Sequence, residues 1–188
     1  MAQNTEHHRW AEKASVCLAL VYSYLGLRDA SYQLADVAYQ NITNAKLVEQ
    51  TGRFVYFMQI LGQTYVNLGD FYKANQILQQ ALTFAEESHY MQVKAKILNG
   101  LAEIHQQQAF ALALTHHTEA IELLDKIGAK CGLAEAYFQL GLTYQKMAKP
   151  DDSQMNFNRA IQLFTEIKAP KQVEKISNCA AQACVNHS

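Results

Sequence analysis

The chain is short of everything that interrupts helices. Two prolines and eight glycines in 188 residues, with no Gly-rich or Pro-rich stretch, leave no flexible linker on which a second domain would swing. Cysteine is sparse as well. Cys17, Cys131, Cys179 and Cys184 show no paired metal spacing, and Cys179 and Cys184, five apart on a helix, point in different directions, as suits a reduced, cytoplasmic protein. Neither sign of charge dominates: 16 basic and 17 acidic residues give a net charge of −1 and are spread along the sequence. Nothing then forms the basic face that would hold a nucleic-acid backbone, so no nucleic-acid partner is expected. No apolar run is long enough to span a membrane. A Gly-rich phosphate loop, a Ser elbow and a zinc signature are all missing, which excludes the commonest catalytic motifs.

What is present is repetition. Leu61-Gly62-Gln63-Thr64-Tyr65 returns as Leu140-Gly141-Leu142-Thr143-Tyr144, and Ala38, Ala81, Ala120 and Ala160 are separated by 43, 39 and 40 residues (81−38, 120−81, 160−120). One unit is therefore about 40 residues long, which marks a chain built by stacking a small supersecondary element. Within the best copy, Leu61, Gly62, Tyr65, Gly69, Phe71, Ala74, Leu78 and Ala81 step by threes and fours, as a helical face does. Each unit reads as two helices, A and B. Gly69-Asp70 marks the turn, because Gly takes the left-handed conformation that ends one helix and Asp caps the next. Gly62, Ala74 and Ala81 fall where the paired helices cross closely. With 49% hydrophobic residues the array has ample material for a core. The apolar run Ala14 to Leu27 follows Arg9 and Lys13 as the core of a secretory signal does, yet its Leu18, Ala19, Tyr22 and Gly26 sit at the repeat offsets and assign it to the fold.

These offsets resemble the tetratricopeptide repeat, whose pattern runs large residue, Leu-Gly, Tyr, Gly, aromatic, Ala, large residue, Ala along a helix-turn-helix. The second unit carries the resemblance through Met58, Leu61, Gly62, Tyr65, Gly69, Phe71, Ala74, Leu78 and Ala81, and the fourth through Leu140, Gly141, Tyr144, Phe157 and Ala160, with Pro150 in the first turn of its B helix. The third unit, Leu101, Ala102, His105, Phe110, Ala113, His117 and Ala120, fits if its turn loses one residue. The first, Leu18, Ala19, Tyr22, Gly26, Ser31, Ala35 and Ala38, lacks the aromatic. The resemblance implies an all-α fold: an α-α superhelix of four repeats, approximately 9–48, 49–88, 89–128 and 129–168, and a closing helix over 170–185, in a single array spanning 1–188. A period near 40, against about 34 for the ordinary repeat, implies the long-period subtype.

Few residues invite a catalytic or metal reading. His105 and His117 are expected to face the interior of one helix pair, but each replaces a bulky repeat residue and no carboxylate or Cys is predicted beside them, so packing is the expected role. His116 and His117, adjacent on a helix, cannot face one ion. His7-His8 are expected in an unordered terminus. Asp151-Asp152 at a helix start complement the free N–H groups and the helix dipole, and Glu86-Glu87 stand at a helix end. No cofactor, no metal and no enzymatic activity are expected.

In arrays of this family the A helices line a concave wall, and the resemblance implies that residues at fixed offsets from the repeat's Leu project from it. The predicted partner-binding residues are Tyr56, Gln59, Gln63 and Asn67 in the second unit, Lys96, Asn99, Glu103 and Gln107 in the third, and Glu135, Phe138, Leu142 and Gln145 in the fourth, with Val66, Gln106 and Lys146 at neighbouring offsets. Amides both donate and accept and so suit the backbone of an extended peptide, while Tyr56, Phe138 and Leu142 add apolar contact. The family's carboxylate clamp is not expected. Its Lys, Asn and basic positions hold Val16, Leu20, Ile60, Lys96 and Gly100, and a single Lys cannot supply the several donors that recognition needs. The Asn that grips peptide backbones in long-period relatives is replaced by Ile60, Gly100 and Gln139. The leading expectation is a non-enzymatic scaffold that binds a protein segment or peptide. A regulatory sensor that takes a small molecule or signalling peptide into the groove is the alternative, and self-association into a homo-oligomer through the exposed ends is the third reading.

Overall fold

The computed structural model describes residues 2–44, 52–87, 90–107 and 109–185. Among these residues the regular structure is entirely α-helical: α1 (Ala2–Tyr24), α2 (Arg28–Asn44), α3 (Gly52–Leu68), α4 (Phe71–Glu87), α5 (Met91–His105), α6 (Phe110–Lys126), α7 (Lys130–Lys146), α8 (Pro150–Glu166) and α9 (Pro170–Val185). The A helices of the four units are α1, α3, α5 and α7, the B helices α2, α4, α6 and α8, and α9 is the expected closing helix. The expected boundaries between units near 48 and 88 lie outside the described residues. Helix α1 runs through His7-His8, against the expectation of an unordered terminus. The chain divides into two compact units, Met1–Val93 and Lys94–Ser188.

In the first unit α1 packs on α2 and α3, and α3 packs on α4. The repeat signature is its core, with Met58, Leu61, Tyr65, Ala74, Leu78 and Ala81 fully buried. Gly62 is required by proximity. A Cβ there would stand 2.3 Å from Cδ2 of Leu78, so only a residue with no side chain lets α3 and α4 approach this closely. Gly69 takes φ +79, the Asp70 amide donates back to the Tyr65 carbonyl (3.0 Å), and the Asp70 carboxylate accepts the Lys73 amide (3.1 Å). One turn is thus ended by glycine and the next begun by aspartate, as the dipeptide predicts.

In the second unit α7 packs on both α6 and α8, and α9 packs on α8. Gly141 repeats the role of Gly62: its Cβ would lie 2.6 Å from the Phe157 ring and 3.3 Å from the Ser153 carbonyl oxygen. The Ser153 hydroxyl donates to the Gly141 carbonyl (2.9 Å), and in the first unit Ser31 donates in the same way to Ala19 (2.7 Å). Ser on the B helix therefore tethers the A helix where the two cross in the first and fourth repeats. Pro150 opens α8 with Asp151 and Asp152 in its first turn, where a missing N–H costs nothing and acids face unpaired N–H groups. In the third repeat α5 ends at His105 and α6 begins at Phe110; the turn expected to lose one residue includes Gln108, which lies outside the described residues.

Candidate functional site

The helix-A face of the first unit is built by α1 and α3. Asn67, one turn beyond Gln63, donates to the Ser23 hydroxyl of α1 (2.9 Å) and accepts from the Gln63 amide (3.2 Å). This places Gln63 and Asn67 beside α1 on one face, half-buried, with part of their hydrogen-bonding capacity already used. Tyr56 is 39% exposed, as expected. Gln59 is not: it is buried among the packing residues of α3. Val66, at a neighbouring offset, is buried too.

In the compact unit Lys94–Ser188 the same offsets fall on α5, on Gln107 just past its end, and on α7. Lys96 and Gln107 are exposed, and Glu103, Glu135, Leu142 and Gln145 are half-buried. Glu135 accepts the Gln139 amide one turn on (3.2 Å). Two predicted contact residues belong to the interior. Phe138, expected on the wall, is 3% exposed; its ring packs against Phe157 (centroids 5.9 Å apart) and is covered by the Lys175 ammonium of α9 at 4.9 Å. The closing helix thus occupies the space that would have left this ring open. Asn99 is likewise buried, because it serves a histidine.

That histidine is His117, which is fully buried. Its Nδ1 lies 3.2 Å from Asn99 Oδ1 and its Nε2 lies 2.9 Å from Thr143 Oγ1, while the buried Gln106 amide donates to the same hydroxyl (2.6 Å). The Thr143 hydroxyl accepts from Gln106 and has one proton for two acceptors, the Gln139 carbonyl (3.1 Å) and His117 Nε2, so a neutral imidazole fits the set either with its proton on Nδ1 towards Asn99 or with its proton on Nε2 towards Thr143. Burial, reinforced by neighbouring His116, pushes the imidazole down to about 4, so it stays neutral near pH 7. His105 does not join it. Its ring stacks on that of His116 (5.4 Å, 28°), and burial lowers both; at His116 the charge of His105 lowers the group further, while Glu119 acts in the opposite direction. Among the described residues no three of His, Cys, Asp and Glu gather as a metal site.

A second polar cluster joins α2, α3 and α4. Lys73 pairs with Asp36 and lies over the rings of Tyr65, Tyr32 and Tyr39 at 4.5, 5.4 and 5.9 Å. Tyr65 donates to Asp36 (2.5 Å) and Tyr32 to Asp70 (2.6 Å). Burial pulls the Asp36 carboxyl upward, but the Lys73 and Tyr65 hydrogen bonds outweigh it and hold the group below its ordinary value. The repeat pattern gave Tyr65 only a packing role. Tyr32, Asp36 and Lys73 stand outside the repeat offsets, so sequence periodicity carries no signal for the cluster.

Geometrically, these faces offer partly buried amides and carboxylates with some apolar surface, and no nucleophile, base and oxyanion donor converge on them. Tetratricopeptide-repeat family models match residues 93–166 and 55–88, which together cover more than half of the chain. No curated protein matches in sequence. Among solved structures, BtubC (BKLC) from P. vanneervenii is similar in fold, with a TM-score of 0.64 and 18% identity over 99% of this chain and 86% of that one. No helix among the described residues is long and apolar enough to cross a membrane. Tetratricopeptide repeats generally mediate protein–protein interactions and are typically non-catalytic. With the repeat core, the close-approach glycines and both family matches in agreement, the chain belongs to the tetratricopeptide repeat proteins.

Proposed function

We propose that the protein is a non-catalytic interaction module of the long-period subtype, and that it holds an extended protein segment on the helix-A face formed by α5 and α7. The observation that carries this reading is the contrast along those two helices. Packing positions such as Leu101, Ala102, Leu140 and Gly141 are buried, while Lys96, Glu103, Gln107, Glu135, Leu142 and Gln145 keep access to solvent. Amides and carboxylates pair with peptide N–H and C=O groups whatever the side chains are, and Leu142 supplies apolar contact. Phe138, Asn99 and Gln59 are left out of the contact set because their side chains serve the core. In the first unit Tyr56, Gln63 and Asn67 form the corresponding face on α3.

The test uses peptides selected from a random display library on the purified protein, with affinity then measured by calorimetry. Leu142→Ala combined with Gln145→Ala is expected to weaken a selected peptide about tenfold, the cost of one to two kcal/mol of lost contact, with an unchanged melting temperature. Equal affinity for both proteins would move the site off α7.

A further inference from the structure

Helix α1 buries Val16 and Ala19 against its neighbours and turns an apolar stripe the other way. Ala11, Ala14, Leu18 and Val21 of α1, and Leu25 in the turn just past its end, whose N–H donates to the Val21 carbonyl (3.0 Å), are all exposed and are spaced 3, 4, 3 and 4 residues apart. That is the a/d alternation of a helix that pairs with another helix, sustained over two heptads. Val21 is 48% and Leu25 66% exposed, and Trp10, at the edge of the stripe, is 66% exposed under the Lys13 ammonium at 5.5 Å. No charged residue occurs between Ala14 and Leu27. A contiguous apolar face of this kind on a water-exposed helix marks a contact surface.

We propose that this stripe is a homodimer interface in which α1 packs antiparallel against α1 of a second copy. Two features select another copy of the chain over a different partner. The stripe changes from small to large along its length, alanines at 11 and 14 and then Leu18, Val21 and Leu25. A two-fold axis near its middle therefore sets the small end of each helix against the large end of the other, the self-complementarity that an isologous interface requires. The uncharged face also offers nothing to steer or register a charged partner, whereas an identical uncharged face meets it without burying an unpaired ion. The stripe is independent of the α5–α7 face, so the two readings stand or fall separately.

Sedimentation equilibrium on the whole protein tests the interface. Wild type is expected to shift towards twice the monomer mass as concentration rises. Leu18→Lys and Val21→Glu are each expected to remain monomeric over the same range with unchanged helicity, and both substitutions fall on exposed positions that the fold tolerates. Mixing Leu18→Lys with Leu18→Glu in equal amounts restores the dimer, because the two-fold brings the opposite charges together. A monomeric wild type, a dimer that survives both substitutions, or a mixture that stays monomeric would each overturn the proposal. Peptide affinity at the α5–α7 face is expected to be the same in Leu18→Lys as in wild type.

Discussion

Burying an imidazole costs least when it is neutral, and His117 is held neutral by its surroundings: a fully buried ring between the Asn99 and Thr143 side chains, pushed by burial from an ordinary value of 6.5 to about 4. The unfolded chain takes up a proton at this position as pH falls below about 6.5, while the folded chain does so only near 4. Between those values the unfolded state binds more protons, so stability falls as pH falls and is unaffected above about 6.5. A shift of this size corresponds to roughly 3 kcal/mol once the window has been crossed. Melting temperature measured against pH is expected to decline through this window in wild type and to decline less steeply in His117→Leu, where the lowered His105 and His116 still contribute. Identical slopes would assign the effect to other groups. Sequence reasoning correctly sent His117 inward because it replaces a large repeat residue. It missed the partners, since offsets specify which face a residue occupies and say nothing of how deep it sits. For the same reason the offsets place Asn99 and Phe138 in the groove, whereas both are buried.

At the scale of paired helices, the closest approaches are set by residues too small to keep the backbones apart. Gly62 faces Leu78 and Gly141 faces Phe157, and both of these partners are fully buried. Replacing Gly62 or Ala74 by Leu is expected to destabilise the protein by roughly 1–3 kcal/mol through overpacking, read as a lower denaturation midpoint with unchanged slope. A midpoint that does not move would mean that these helices cross elsewhere. Here the sequence was nearly sufficient, because a repeated Leu-Gly-x-Thr-Tyr exposes a packing rule that any two copies share. The turns were less legible. Ala148 and Lys168 take the left-handed conformation (φ 55 and 57) that glycine takes at 26, 69 and 128, with the same returning bonds, Lys149 N–H to Tyr144 (3.0 Å) and Ala169 N–H to Phe164 (2.9 Å). These turns close without the glycine that would have announced them, because the backbone hydrogen bonds and flanking helices impose a conformation that local propensity disfavours.

At the scale of the whole molecule, balanced charge is the governing property. Sixteen basic and 17 acidic residues spread along the chain leave no single-sign field to steer a partner from a distance. Affinity for a peptide at the α5–α7 face is therefore expected to change less than about threefold when salt is raised tenfold, since short-range hydrogen bonds and apolar contacts are screened little. A steep loss with salt would point to a strongly charged partner instead.

The sequence by itself determined the repeat, its A and B helices, the glycines at the crossings and the all-α class, because each follows from periodicity and from residue size, which the linear order displays directly. Only the tertiary structure decided that Phe138 lies beneath Lys175 of α9, that Asn99 is spent on His117, and that α1 is left with an apolar stripe uncovered. Each of these depends on which helix comes to lie against which face. That is settled by packing between residues tens of positions apart, for which the repeat pattern holds no record.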